Sequence, residues 1–194
     1  MGLQDLDWPA EPALEIDVEA CYKVITSIKS VLIEKNKRYG NSALAPINVF
    51  YKGNATDSIC IRLDDKLSRI KNSSELRKND LYDLLGYCIL YLISVDKDDN
   101  KTFEQKIDSI LETVKTNYIN NNFHEKKYLG CKTFEFDGFL KGERNNNVID
   151  SLNGICSDIK ECTTVHNHMV IRLIHFLIVY FIQIGITNFS DLID

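Results

Sequence analysis

Two stretches of the chain carry acidic residues inside apolar helical patterns: ICIRLDDKLSRI at residues 59–70 and NDLYDLLGYCILYLI at residues 79–93. In the second, Asp80 and Asp83 stand three residues apart. That spacing puts both carboxylates on one helix face, and Tyr87 continues the same face. In the first, Asp65 lies between Arg62 and Arg69, with Lys66 beside it. If the two helices pack antiparallel, Asp65 approaches Asp80 and Asp83. Three carboxylates brought together without compensation repel and push one another's pKa values up. A magnesium ion removes that repulsion, because it takes carboxylate and water oxygens and keeps positions open for substrate phosphates. Lysine and arginine nearby would then meet phosphate oxygens, arginine through its bidentate fork. The same residues have a plainer reading. Asp65 and Arg69 can form an exposed ion pair worth about 0.3 kcal/mol. Asp80 and Asp83 fall in the first turns of their helix, where the macrodipole favours acids anyway. Spacing alone leaves both readings open.

Hydrophobic periodicity supplies the elements that must position these groups. Residues 15–40 predict a first helix, with Val18, Tyr22, Ile25, Ile28 and Leu32 as its inward stripe and Asp17 and Glu19 near its start. Gly40 is its expected stop. Residues 41–56, with Pro46 and Gly53, form a connector apolar enough to pack down. Residues 57–72 predict a second helix, capped by Asp57 or Ser58, with Ile59, Leu63, Leu67 and Ile70 inward. Residues 74–95 predict a third, burying Leu81, Leu84, Leu85, Cys88, Ile89 and Leu92. A solvated turn at 96–101 leads to a fourth at 102–121, striped by Phe103, Ile107, Ile110, Leu111 and Val114. Residues 120–147 are rich in Asn and lose the helical repeat; TFEFDGFLKG suits either a short hairpin around Asp137-Gly138 or an irregular loop. VIDSLNGICSDIKE reads as a short helix, and residues 165–186 as the last long one. The expected fold class is all-α in the main. A tail at 1–14 precedes a four-helix unit at 15–118. An extension at 119–194 holds at least one long apolar helix.

Composition narrows the partners. A chain of 194 residues suits one domain with an extension. Its net charge of −5 argues against a uniformly basic nucleic-acid surface, so no sequence-specific nucleic-acid partner is expected. MVIRLIHFLIVYFIQIGI, residues 169–186, is interrupted by Arg172, His175 and Gln183 and reads as a buried helix rather than a membrane span. No membrane partner is therefore expected. The acidic N-terminal residues show no export signal, so the six cysteines read as free thiols in a reducing cytosol and the protein as cytoplasmic. Cys156, Cys162, His166 and His168 cluster in sequence, yet Cys156 to Cys162 is too long for one zinc knuckle and His166-x-His168 too short for the other. Zinc is not expected, and His175 reads as a core histidine.

Taken in order, EKNKRYGNSALAPINVF, ICIRLDDKLSRI and DLYDLLGYCILYLI resemble the successive signatures of the nucleotide-modification-associated domain of phages and bacteria. Its members carry a K-N-x-x-Y-G-x-S segment, an R-x-x-D-K-x-x-R-I helix and a D-x-x-D-x-x-x-Y helix. That domain is in turn similar to the all-α nucleoside-triphosphate pyrophosphatases, the MazG and dimeric dUTPase group. The resemblance covers roughly residues 15–95 by inspection of the three motifs. Pyrophosphatases of this group hold Mg²⁺ with E-x-x-E on one helix and E-x-x-D on the next. Asp80-x-x-Asp83 matches the second motif with a shorter first acid. Arg62-x-x-Asp65 matches the first except that Arg62 stands where the leading acid belongs, and the metal cage loses a ligand. Glu34, near the end of the first helix, is the candidate replacement.

The resemblance implies Mg²⁺-dependent hydrolysis of a nucleotide phosphoanhydride. Asp65, Asp80, Asp83 and Glu34 would hold the metal, and Lys66 and Arg69 would stabilise phosphate charge beside the catalytic Asp65. Lys35, Tyr39 and Asn41 would line the base or sugar pocket, with Arg62 and Tyr87 as further substrate contacts. The Arg62 departure favours a second reading, a nucleotide-binding module without catalysis that uses Arg62, Lys66 and Arg69 on the phosphates. A third is an interaction protein without a small-molecule site, in which Asp65, Asp80 and Asp83 would be exposed and apart. A homodimer or higher homo-oligomer is also expected. The related folds complete their core by pairing subunits, and the apolar last helix offers an interface.

Overall fold

The computed structural model describes residues 17–74, 76–119 and 146–190. Among them are six helices and no strand: α1 (Val18–Arg38), α2 (Ala55–Asn72), α3 (Lys78–Val95), α4 (Phe103–Ile119), α5 (Asn146–Glu161) and α6 (Asn167–Gln183). The fold class is all-α. The segment considered for a hairpin around Asp137-Gly138 lies outside the described residues.

Local chemistry fixes the helix ends. The Asp17 carboxylate accepts a hydrogen bond from Ala20 N at 2.8 Å, satisfying a donor that α1 would otherwise leave open. At the other end Gly40 takes φ +60°, and Asn41 N donates to Asn36 O across the reversal. This is a Schellman stop, which glycine enters without a Cβ penalty. Asn54, rather than Asp57 or Ser58, caps α2, because its side chain accepts from Asp57 N at 2.8 Å and the helix starts at Ala55, two residues before the expected 57.

The core stripe of α3 is buried as read: Leu81, Leu84, Leu85, Cys88, Ile89 and Leu92. That of α1 is as read at Ile28 and Leu32 and shifted toward its start. Cys21, Val24, Ile28 and Val31 face inward, whereas Tyr22 is 47% exposed. Tyr22 is the larger apolar side chain, but its ring lies 5.2 Å from the Lys115 ammonium, a cation–π position at the rim of the bundle. The connector differs too. Ile47, Val49, Phe50 and Tyr51 are exposed, Phe50 at 99%, and only residues such as Leu44 reach the core.

Helix α6 packs against α1, α3, α4 and α5, so its apolar residues join the same core as the first four helices. It is 17 residues long and falls short of the long apolar helix expected over 165–186. Gly185, at φ +73°, stops it with a second Schellman turn, Ile186 N donating to Phe181 O at 2.9 Å. Eleven of its residues, from Met169 to Phe181, are buried within the chain. Most of its apolar surface is thus used internally, in packing against the other helices. No helix of the described residues is long and apolar enough to cross a membrane.

Candidate functional site

Helices α2 and α3 run antiparallel. Thr56, at the start of α2, donates to Ser94 Oγ near the end of α3 at 3.0 Å, while Lys66 meets the first turns of α3. The side chain that α2 sends toward Asp80 and Asp83 is Lys66. Its Nζ lies 2.7 Å from Asp83 Oδ2 and 3.5 Å from Asp80 Oδ1. Both Lys66 and Asp80 are nearly buried, with side chains 13% and 12% exposed. Asp65 does not join them. It pairs with Arg69 at 3.0 Å, and both of those side chains face water. Register explains the difference, since Lys66 follows Leu63 by three residues and precedes Ile70 by four, on the inward stripe of α2. That stripe was the signal that could have identified it.

The cluster extends to α1. Lys35 Nζ stands 3.7 Å from Asp83 Oδ1 and 5.2 Å from the centre of the Tyr82 ring. Two lysines thus face two aspartates. Burial acts to lower the Lys66 pKa. The hydrogen bond and charge of Asp83, with the charge of Asp80, outweigh it and hold the ammonium above its ordinary value. Burial, and then the Asp83 charge, push the Tyr82 phenol well above its usual range. The Tyr82 hydroxyl is buried and finds no hydrogen-bond partner among the described residues.

Lys35, Asp83, Tyr39, Tyr82 and Tyr87 line a cavity of about 200 Å³ between α1 and α3, together with Leu32, Gly86 and Phe103. Asn36 and Phe103 also line a second hollow of about 460 Å³, which reaches Asn41, Ser94, Asp96, Lys101 and Lys106. The larger one is within the usual range of ligand pockets, roughly 300–1,000 Å³, and the smaller is below it. Of the residues singled out in the sequence, Lys35, Tyr39, Lys66, Asp80, Asp83 and Tyr87 are therefore at or beside the first cavity, and Asn41 at the second. Arg62 and Glu34 are exposed, and Asp65 and Arg69 form their own pair. Asn36, Tyr82 and Phe103 were missed by sequence reasoning. Tyr82 alone had a signal, its place between the two aspartates.

The donor set can be tested against magnesium. Asp80 and Asp83 converge on one point, but that point is held by the Lys66 ammonium. The third carboxylate is elsewhere, and no group of three or more metal-ligating side chains forms among the described residues. Two carboxylates suffice for Mg²⁺ only when substrate phosphates and water complete its shell. Compared with family models, curated proteins and solved structures, the chain finds no match in any of the three.

Proposed function

We propose that the chain binds a nucleotide in the cleft between α1 and α3, with Lys35 as its principal phosphate contact. The observation that carries this reading is the unequal pairing of Asp83. Lys66 holds that carboxylate at hydrogen-bond distance, whereas Lys35 stands off at 3.7 Å on the cavity wall. Lys66 neutralises the acid, and Lys35 keeps charge to offer an entering anion. Tyr39 and Tyr87 present apolar ring surface to a base, and Asn36 presents an amide to its polar edge. Calorimetric titration with nucleoside mono-, di- and triphosphates tests it. Lys35→Ala is expected to weaken binding about 10-fold or more, as for loss of one charge-assisted hydrogen bond. Absence of binding by the wild type at millimolar nucleotide would end the proposal.

A second reading is Mg²⁺-dependent phosphohydrolysis, favoured by the convergence of Asp80 and Asp83. The ion would polarise the phosphoanhydride and lower the pKa of an attacking water. Asp80 and Asp83 would hold it, and Lys66, displaced from between them, would turn to the phosphates. Phosphate or pyrophosphate release with and without Mg²⁺, lost in Asp83→Ala, separates this reading from binding alone.

A further inference from the structure

Past the end of α6 the chain turns back toward α1. Phe189 N donates to Ser27 Oγ at 2.7 Å, and Ser27 Oγ donates to the Asn188 side-chain oxygen at 3.3 Å. The same Asn188 oxygen accepts from Ser190 N at 3.0 Å and Ser190 Oγ at 2.9 Å. This polar clip drives Phe189 into the core, where it has no exposed surface. Its ring stacks on Tyr82, centroids 4.9 Å apart and planes 28° apart, and meets Phe181 edge-on at 4.9 Å. Tyr82 carries Lys35 on its ring. We propose that the segment 188–190 is a positioning device: Phe189, pinned by Ser27, fixes the Tyr82 ring that holds Lys35 against the cavity.

Three features support this assignment. Among the described residues the Tyr82 hydroxyl has no hydrogen-bond partner, so packing orients the ring, and Phe189 supplies a stacked face of that packing. The rings are stacked, 28° from parallel, rather than edge-on, which restricts the tilt of both. The Lys35 side chain is 26% exposed, and its ammonium stands 3.7 Å from Asp83 Oδ1 and 5.2 Å from the Tyr82 ring centre, so a tilt of that ring changes which of the two it favours. The effect on ligand affinity rests on the nucleotide-binding reading above; the effect on Lys35 does not.

The test uses the full chain with its lysines ¹³C-dimethylated, which keeps their charge, and reads the methyl resonances by NMR in the absence of ligand. Lys35 should be shifted upfield by the Tyr82 ring current, and Tyr82→Leu should abolish the shift. Phe189→Leu, which keeps apolar volume but removes the ring, and Ser27→Ala, which removes the clip, should each reduce that shift by half or more. Lys115 over Tyr22 is a second pair of this kind that makes no contact with Phe189 or Tyr82 in the ring contacts described, and it should stay in place. If Phe189→Leu also moves Lys115, the fold has been disturbed and Ser27→Ala decides. An unmoved Lys35 resonance with Lys115 unmoved overturns the proposal. With nucleotide present, both variants should bind 3- to 10-fold more weakly. A wild type that binds no nucleotide, yet shows the Lys35 response, rejects the functional reading and keeps the positioning role.

Discussion

Asp65 of α2 and the Asp80–Asp83 pair of α3 both stand beside basic residues and meet different fates. Asp65 reaches Arg69 on its own helix, with side chains 44% and 58% exposed, and water screens the pair. Asp80 and Asp83 reach across to Lys66 and Lys35 on two other helices, and the Asp80–Lys66 contact is almost fully enclosed. A pair of the first kind is replaceable by solvent. A pair of the second kind ties helices together, and removing either partner strands a charge in a medium that solvates it poorly. Burial, not spacing, separates a decorative acid from one that can be put to use.

The largest expected effect is on the enclosed side. Lys66→Met should destabilise the protein by about 2 kcal/mol in urea unfolding, below the usual range for a broken buried pair because Asp83 is a third exposed. Adding Asp80→Asn should recover part of that loss, since the stranded charge is gone. A cost under about 0.5 kcal/mol would place both acid clusters in the same class.

A pH series sharpens the contrast. The Lys66 pKa is raised in the folded state from an ordinary value of 10.5. The folded protein therefore holds this proton more tightly than the unfolded chain does. The stabilisation is fully present below pH 10.5 and lost as the pH rises through the raised value. The gap between wild type and Lys66→Met should be constant from neutral pH to the lysine range and narrow above it. Buried Cys88, whose thiol is pushed above 9.0 by its surroundings, lowers the stability of both proteins alike and cancels in the difference. A gap that stays constant above the lysine range would contradict the assignment.

On the exposed side, Asp65→Ala or Arg69→Ala should cost no more than about 0.5 kcal/mol, and less at high salt. The smallest effect belongs to the connector. Phe50→Ser should leave unfolding within about 0.5 kcal/mol of wild type, because Phe50 touches water on nearly all sides.

The sequence made the helices readable because each carries a 3.6-residue repeat, and the expected stripe of α3 lies inside a wider buried face that also takes in Tyr82, Tyr91 and Ile93. On α1 the larger Tyr22 competes with Cys21 and Val24, and only the Lys115 contact from α4 settles which faces out. Asp80, Asp83 and Tyr87 could be singled out from types and spacing, whereas Lys35 and Tyr39 were named only through the resemblance. Their cavity could not, because Asn36 and Phe103 join it through packing of α1 against α4. Phe189 was less legible still. Its place depends on a glycine turn after α6 and a hydrogen bond to Ser27, contacts between distant parts of the chain that no local pattern encodes.

The most direct test of the site is a map of amide and methyl NMR shifts on adding a nucleoside triphosphate, with and without Mg²⁺. The account predicts changes at Lys35, Tyr39, Lys66, Asp83 and Tyr87, with Asp65 and Arg69 unaffected. Shifts confined to the outer face of α2, or none at millimolar nucleotide, would contradict it.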